Sequence, residues 1–230
     1  MPKSFQVGGG NKVKVYVALL PLGDRIEPDD VSITAGSGIT SAATSVTVTA
    51  LSGPIAAGTP LTFDNGTSKL TVYLAADAKT GDTSLTIEAA SAALTGSSTA
   101  EYLAKLRLLG GTQLSVNLGA DRTESLVFED PLGYADGVIT KQNWELPWTA
   151  NLLSDDDAFR RVYYAASQAV SGREIFVWQE DPPPKGKTVG DGLKGTAVIT
   201  NFSKQLQSDA ICTISFSFNG QGSPTITRFS

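Results

Sequence analysis

Residues 45–51 read SVTVTAL and residues 83–89 read TSLTIEA, two short runs in which β-branched residues alternate with small polar ones. This alternation is typical of strands that bury one face. Both runs lie in a stretch from about Ser32 to Ala100 that is rich in Ala, Thr, Ser and Gly. Its charged residues are few: Asp64, Lys69, Asp77, Lys79, Asp82 and Glu88. The stretch therefore predicts a separate β module.

The two runs also repeat each other. Residues 44–50 (TSVTVTA) match residues 83–89 (TSLTIEA), and an Ala/Gly-rich turn follows each copy, PIAAGT at 54–59 and AALTGS at 92–97. Two copies of one unit favour a small pseudo-symmetric β structure and are too few for a solenoid. The alternative is a chance likeness between two strands of low complexity.

The composition changes at both ends of this stretch, and the flanks read as an ordinary mixed domain. We therefore expect a discontinuous host domain made of residues 1–31 and 101–230, interrupted by an inserted module of residues 32–100. A host tolerates such an insertion at an exposed loop, because loop-closure entropy grows slowly with loop length. With 230 residues, 41% of them hydrophobic, the chain is long enough for a host core and a small insert.

Composition excludes several classes of site. The chain has no histidine and one cysteine, Cys212, so the commonest general base, an internal disulfide and a Cys-rich metal site are all absent. A net charge of −5 without a basic cluster argues against tight DNA binding. No apolar run approaches the length of a membrane span, and the first residues, MPKSFQVGGGNK, lack an apolar signal core. We expect no cofactor, no metal and folding in a cytoplasm.

The flanks predict mostly strands. The expected strands cover residues 12–20, 112–118, 122–129, 138–148, 174–179, 193–204 and 209–218, with an extended tail at 224–229; residues 102–109 fit strand or helix. Gly119-Ala120-Asp121 predicts a tight hairpin between the second and third of these strands. In the strand at 209–218, Ile214, Phe216 and Phe218 alternate with serines, which indicates one buried and one wet face.

One helix is predicted after Ser154 or Asp155, either of which is a suitable N-cap. Its apolar residues recur at helical spacing, and Gly172 is well placed to end it. The three consecutive aspartates at 155–157 also suggest a metal site, since carboxylates bind hard cations. Capping is the better interpretation, because the spacing and the glycine of an EF-hand loop are missing.

A stiff elbow, Asp181-Pro182-Pro183-Pro184, opens a Gly/Lys-rich loop that contains Lys185 and Lys187 and continues through Gly192. Three prolines are also the ligand of proline-binding modules, but flanking specificity residues are lacking and a surface loop is favoured. The GKT in this loop lacks the first glycine of a phosphate-binding loop, so nucleotide binding is not expected there.

Several stretches of the flanks resemble tail tube proteins of tailed bacteriophages. They are GADRTE at 119–124, GYADGVITKQNWELPWTANL at 133–152, the Asp-rich start of the helix, and KGTAVITNFSKQLQSDAICTISFSFNGQG at 194–222. The last stretch is the most specific, since it ends an alternating strand in Asn219-Gly220-Gln221-Gly222. The resemblance leaves the insert unaccounted for.

The resemblance implies a mainly β fold, of β-sandwich or barrel type, with one packed helix. It also implies a structural, non-enzymatic subunit of the virion tail, made in the bacterial cytoplasm. Its copies would close into stacked rings, usually of six, around a bore that DNA traverses without specific binding. The other partners implied are the tape measure, the tail terminator, the baseplate and, in some tails, a sheath.

For the contacts between subunits or rings, the expected residues are Asp181, Pro182, Pro183, Pro184, Lys185 and Lys187 of the loop. Phe5 and Val7 near the amino terminus complete this set. Both segments are polar and glycine-rich, so we expect them to be disordered in the free subunit and ordered by docking.

Two other classes of function stay open. The Thr/Ser/Ala-rich insert is typical of virion adhesion or decoration modules, and a tail terminator or baseplate hub subunit is a variant closer to the tube. An enzyme would have to use a carboxylate pair, and Glu124 with Glu129 or Asp130 is the compact acidic set on predicted strands.

Overall fold

The computed structural model describes residues 13–125, 136–153, 155–206 and 211–228. These residues are mainly β, with fifteen strands and one α-helix, α1 (Asp157–Ser167), followed by a short 3-10 helix (Ala169–Ser171). The strands are β1 (Lys14–Leu19), β2 (Val31–Ala35), β3 (Ser45–Thr47), β4 (Pro60–Asp64), β5 (Lys69–Tyr73), β6 (Ser84–Thr86), β7 (Ser98–Tyr102), β8 (Leu106–Arg107), β9 (Gly111–Leu114), β10 (Asn117–Ser125), β11 (Asp136–Asn151), β12 (Ile175–Glu180), β13 (Gly192–Gln205), β14 (Thr213–Gly220) and β15 (Thr225–Thr227). Neither helix is long and apolar enough to cross a membrane.

Nine strands from the flanks form one antiparallel sheet. The order is β10, β11, β14, β13, β12, β1 and β8, with β9 beside β11 and β15 beside β13. Alternating residues of these strands bury one face of the sheet, on which Phe159, Val162 and Ala165 of α1 pack. A mainly β fold with one packed helix is thereby confirmed.

Residues 31–102 form two smaller sheets. One has the strand order β2, β7, β4, β5, and the other pairs β3 with β6. Their buried side chains make a hydrophobic cluster of their own, with Phe63 and Tyr102 the largest. The nine-stranded sheet has a separate cluster, to which this region contributes Ala56. The protein therefore has two main hydrophobic cores.

The internal repeat extends over the whole of residues 31–102. Strands β2, β3 and β4 correspond to β5, β6 and β7, whose bounds lie 38 or 39 residues further along the chain, and their equivalent core positions are 39 residues apart, as Val46 and Leu85 are. Positions related by this spacing are buried in both copies: Val31/Leu70, Ile33/Val72, Ala35/Leu74, Ile39/Ala78, Val46/Leu85, Val48/Ile87, Leu51/Ala90, Ile55/Leu94, Thr59/Ser98, Leu61/Ala100 and Phe63/Tyr102. The pseudo-symmetric interpretation is confirmed, and a chance likeness is excluded.

The two copies are intertwined about a pseudo-twofold axis. In the principal strand pairs, β2 with β7, β3 with β6 and β4 with β5, the partners come from different copies. Backbone hydrogen bonds also occur in symmetric pairs: Ile39 N–H donates to Leu94 O and Ala78 N–H donates to Ile55 O, both at 2.8 Å. Neither copy satisfies its strands alone, so the two copies form one folding unit.

The hairpin expected at Gly119-Ala120-Asp121 is wrong. These residues lie inside the continuous strand β10, which pairs with β11 rather than with a strand at 112–118. Gly119 faces Asn143, and a Cβ at position 119 would overlap the side chain of Asn143. This glycine thus allows close strand packing instead of a turn. Residues 102–109 take the strand alternative, as the end of β7 and then β8.

Candidate assembly surface

Strands β10 and β11 extend beyond the rest of the nine-stranded sheet. β11 pairs with β14 only from Glu145 onward, whereas its preceding residues pair with β10. We call this two-stranded extension, residues 117–125 and 136–144, the arm. Its side chains at 117–121 and 139–143 are exposed, including the large apolar Leu118 (61% exposed) and Ile139 (56%).

The arm offers edges on which another chain can pair. Among the described residues, no strand lies beyond β10, and none pairs with β11 opposite β10 before Glu145. Strand edges carry backbone N–H and C=O groups that template pairing with a further strand. Exposed apolar side chains on such an edge are typical of an interaction surface.

The face of the sheet opposite α1 is polar where β11, β14 and β13 meet. Pro147, Ser217 and Thr200 lie side by side in register, and the neighbouring rows hold Glu145 with Asn219 and Thr149 with Ser215. The intervening residues Leu146, Phe218 and Ile199 lie in the core. The polar face predicted for β14 is thus present, although Ser217 on this face is buried, with 7% of its surface exposed. Glu145 is the charged residue among those named, and Val198, which pairs with Asn219, adds an apolar side chain to this surface.

A tryptophan packs against the Asn219-Gly220-Gln221-Gly222 motif. Trp144 of β11 is 3% exposed and lies against Gly220, where any Cβ would overlap its indole ring. The indole N–H donates to the carbonyl of Gly222 at 2.9 Å, and Gly222 has a φ of +86°, which favours glycine. The two glycines therefore fix the root of the arm on the core.

The predicted contact loop has a closed base and an exposed tip. Asp181 N–H donates to Asp191 O at 2.8 Å, and Lys187 N–H donates to Pro184 O at 2.9 Å. Pro183, Pro184, Lys185 and Lys187 are exposed, and Pro182 is half-buried. Phe5 and Val7 lie outside the described residues. The role of both segments as subunit or ring contacts stays a prediction.

The helix cap is Asp156, not Asp155, and Ser154 lies outside the described residues. Asp156 is 8% exposed, and its two carboxylate oxygens accept hydrogen bonds from Ala158 N–H and Leu109 N–H, both at 2.9 Å. The exposed Asp155 has no such pair of bonds among the described residues. The hydrogen bond from Leu109, which is distant in the chain, favours Asp156 as the cap. The local sequence does not reveal this bond.

Two arginines join the nine-stranded sheet to the duplicated module. Arg173 binds Leu20 O at 2.9 Å and the carboxylate of Asp77 at 2.7 Å. Asp77 also accepts hydrogen bonds from Leu22 N–H and Ala57 N–H. Burial by itself raises the pKa of Asp77, but these hydrogen bonds and the Arg173 charge hold the pKa below its ordinary value. The carboxylate therefore stays ionised as a clamp between the two parts.

Arg161 of α1 is the second arginine that joins the nine-stranded sheet to the duplicated module. It is 3% exposed, donates to Ala104 O at 2.8 Å and Leu103 O at 2.7 Å, and lies over the ring of Tyr102 at 5.0 Å. Burial lowers the pKa of this guanidinium, and Tyr102 partly opposes the shift. The sequence held a signal for this residue, because Arg161 falls on the apolar stripe of α1 between Ala158 and Ala165.

A groove of about 430 Å³ lies between α1 and the duplicated module. Tyr73 comes from the module, whereas Tyr163 and Tyr164 come from α1, and Tyr163 is 52% exposed. Arg160, Ser167, Lys204 and Glu88 add polar groups at this groove. Aromatic faces beside charged and hydroxyl groups are typical of a small-ligand site. The sequence did not reveal it, because its parts are far apart in the chain.

Of the expected acidic set, the structure describes only the strand position of Glu124, so the carboxylate pair stays a prediction. Glu124 lies in β10, opposite Gly137, and Glu129 and Asp130 lie outside the described residues. Within the described ranges, no group of three or more His, Cys, Asp or Glu side chains is arranged to hold a metal ion.

No protein-family model and no curated protein sequence matches the chain. Two similar solved chains belong to gene transfer agent particles. One comes from the tail of an empty particle with C6 symmetry, at 12% identity and a TM-score of 0.41, and covers 54% of this chain and 87% of that one. The other comes from the virion of a native particle, with the same identity and TM-score and 88% of that chain covered.

Proposed function

We propose that this protein is a structural subunit of a phage-type virion tail, and specifically a tail tube subunit whose copies close into stacked rings, six to a ring. The observation that carries the proposal is the nine-stranded sheet. One of its faces packs on α1, the opposite face is polar where β11, β14 and β13 meet, and the open-edged arm lies at its end.

Ring closure follows from the edges of that sheet. A neighbouring subunit that pairs with the arm satisfies the free backbone groups of β10 and buries Leu118 and Ile139. Repeated around a closed ring, this pairing joins the sheets into a barrel without exposed edges. The polar face then lines the bore.

The charge of the protein suits a conduit for DNA. A bore lined with Lys and Arg would hold each phosphate through counterion release and would slow passage. A net charge of −5 and a polar face made largely of Ser, Thr and Asn avoid that attraction. DNA then passes during ejection without specific binding.

The subunit would be made in the bacterial cytoplasm and then take its place in the virion tail. Its expected partners are the tape measure, tail terminator and baseplate proteins. A sheath is a partner only in a contractile tail. Residues 32–100 form an inserted module on the host domain of residues 1–31 and 101–230, consistent with the two separate cores.

Electron microscopy of the purified protein tests the tube directly. We expect the natural chain to form hollow rings or tubes. Leu118→Glu combined with Ile139→Glu should abolish them while leaving the fold intact, because both side chains are exposed. Val170→Glu is the matched control, since Val170 is fully exposed outside the arm, and this variant should still assemble. A natural chain that stays monomeric under all conditions contradicts the proposal.

The tyrosine groove favours a second candidate, a virion adhesion protein that binds surface glycans. The sequence alone offered only Phe63 and Tyr73 as aromatic residues of the insert, and Phe63 is fully buried. The groove adds Tyr163 and Tyr164 from α1. Saturation-transfer NMR with bacterial surface polysaccharide tests this function. Signal transfer lost in Tyr163→Ala and kept in Val170→Ala supports adhesion, whereas no transfer to the natural chain removes it.

A further inference from the structure

The hairpin turn between β4 and β5 carries an Asn-Gly pair, Asn65-Gly66, at the junction of the two repeat copies. The pair is partly to fully exposed, and Gly66 has a φ of +84°. A second Asn-Gly pair, Asn219-Gly220, forms the last two residues of β14, where Asn219 pairs with a strand on each side. The chain thus contains the same dipeptide in a turn and in a paired strand.

Hydrogen bonds hold both the side-chain amide of Asn65 and the backbone amide that follows it. Its Oδ1 accepts from Thr67 N–H at 2.9 Å and Ser68 N–H at 2.7 Å. Its Nδ2 donates to Thr95 O at 2.8 Å. The next backbone amide, Gly66 N–H, donates to Asp64 Oδ1 at 2.7 Å.

These contacts match the needs of an attack on the amide carbon. Two backbone N–H groups on Oδ1 stabilise the negative charge that develops on this oxygen when a nucleophile adds, as in an oxyanion hole. The carboxylate on Gly66 N–H is within reach to accept its proton as a general base. Glycine at position 66 leaves the attacking nitrogen without a side chain beside it.

We propose that Asn65 is a self-modification site that converts to aspartate and isoaspartate without an enzyme. The Gly66 nitrogen bonds to Asn65 Cγ as its proton passes to the Asp64 carboxylate. The Cγ–Nδ2 bond then breaks, and the nitrogen takes up a proton and leaves as ammonia, which gives a cyclic imide. Water opens the imide at either carbonyl, so the net reaction exchanges the amide NH₂ for OH.

The second pair acts as an internal reference. Asn219 pairs with Glu145 and Val198, and Gly220 pairs with Ala197 and lies against Trp144. Forming the cyclic imide there would break the β14 ladder and disturb the indole. Asn219 should therefore stay an amide while the protein is folded.

Conversion at Asn65 changes the module. The product carboxylate can no longer donate to Thr95 O, and it adds a negative charge next to Asp64, which already pairs with Lys69 at 3.0 Å. The isoaspartate form also lengthens the backbone by one atom inside the hairpin. The contact between the β4–β5 turn and the second copy is then lost, so the fraction of modules without this contact rises with time.

Peptide mapping by mass spectrometry tests the proposal on the full chain kept folded at neutral to mildly alkaline pH. We expect the peptide containing Asn65 to gain the mass of an NH-to-O exchange and to split into two chromatographic products, while the Asn219 peptide stays unchanged. Gly66→Ala should slow the conversion at least about tenfold. Asp64→Asn should slow it severalfold, and Lys69→Gln, which keeps the Asp64 carboxylate, should not.

Unfolding in urea gives the remaining comparison. Both Asn-Gly pairs should then convert at similar rates, because the contacts that distinguish them are gone. Equal rates for the two pairs in the folded protein, or an unchanged rate in Asp64→Asn, would overturn the assignment of the turn as a self-modification site.

Discussion

At the scale of single residues, the described structure depends on side chains whose partners are distant in the chain. Asp156 illustrates this, because one carboxylate caps α1 and also binds Leu109 N–H. Replacing Asp156 by alanine should cost about 1–2 kcal/mol of unfolding free energy, since two buried N–H groups lose their acceptor. Urea unfolding followed by tryptophan fluorescence measures the effect.

Asp155→Ala is the matched control for the cap. Asp155 is exposed, so its removal should change stability by no more than about 0.5 kcal/mol. Equal losses in the two variants would mean that Asp156 does not act as the cap.

The packing of Trp144 against Gly220 and Gly195 gives a second prediction for single residues, in which two variants differ in their expected cost. A Cβ at Gly220 would overlap the indole, whereas a Cβ at Gly195 would lie 3.0 Å from indole Cζ2. Gly220→Ala should therefore cost about 1–3 kcal/mol, and Gly195→Ala clearly less, because the indole needs to shift only slightly. All three tryptophans lie in β11 and β12, so their fluorescence reports on this sheet. The reverse order of costs would contradict the packing described for Trp144.

At the scale of elements, the alternation of apolar and polar residues in the sequence was sufficient to predict the strands that bury one face. The strand expected at 12–20 is β1, and the one at 209–218 is largely β14. Local turn chemistry misled at Gly119, whose role is set by Asn143 on the partner strand. The repeat was visible at 44–50 and 83–89 alone, because the equivalent core positions elsewhere differ in size, as Ile39 and Ala78 do.

The partners of the two arginines that join the two parts were not predictable from the sequence, although the position of Arg161 on the apolar stripe of α1 marked that residue as unusual. Arg161 and Arg173 bind backbone carbonyls and one carboxylate that only the folded chain brings near them. The tyrosine groove was missed for the same reason, since Tyr73 lies on β5 of the duplicated module and Tyr163 on α1. Long-range contacts of this kind have no local pattern.

The proposed division into a host domain and an inserted module supplies the prediction at this scale. Ile33 and Ala100 are paired across β2 and β7, so a short Gly/Ser linker can replace residues 33–100 without stretching the host. We expect the shortened chain to unfold cooperatively but with lower stability, because Arg173 loses Asp77 and the host core loses Ala56. Circular dichroism and thermal melting measure this. A shortened chain without a cooperative transition would show that the segment belongs to the host core.

At the scale of the whole molecule, the net charge of −5 leads to a prediction about DNA. Assembled protein should show no measurable duplex binding near physiological salt and no steep dependence of binding on salt, because the sequence contains no dense run of Lys and Arg that would release phosphate counterions. Filter binding measures both. Submicromolar, salt-sensitive affinity would contradict the conduit and would indicate a DNA-binding role.

We propose that assembly involves the loop at 181–192 together with the amino-terminal segment that contains Phe5 and Val7. The base of the loop is closed by the bond from Asp181 N–H to Asp191 O, whereas Pro184 and Lys185 at its tip are exposed. If both segments dock on a neighbouring subunit or ring, their amide hydrogens should exchange much more slowly in tubes than in free subunits, since docking removes water from the backbone. Hydrogen exchange read by mass spectrometry compares the two states, with the buried strand β12 as an internal reference that is slow in both. Equally fast exchange in both states would make these segments passive surface loops, and the arm would then carry the contacts between subunits.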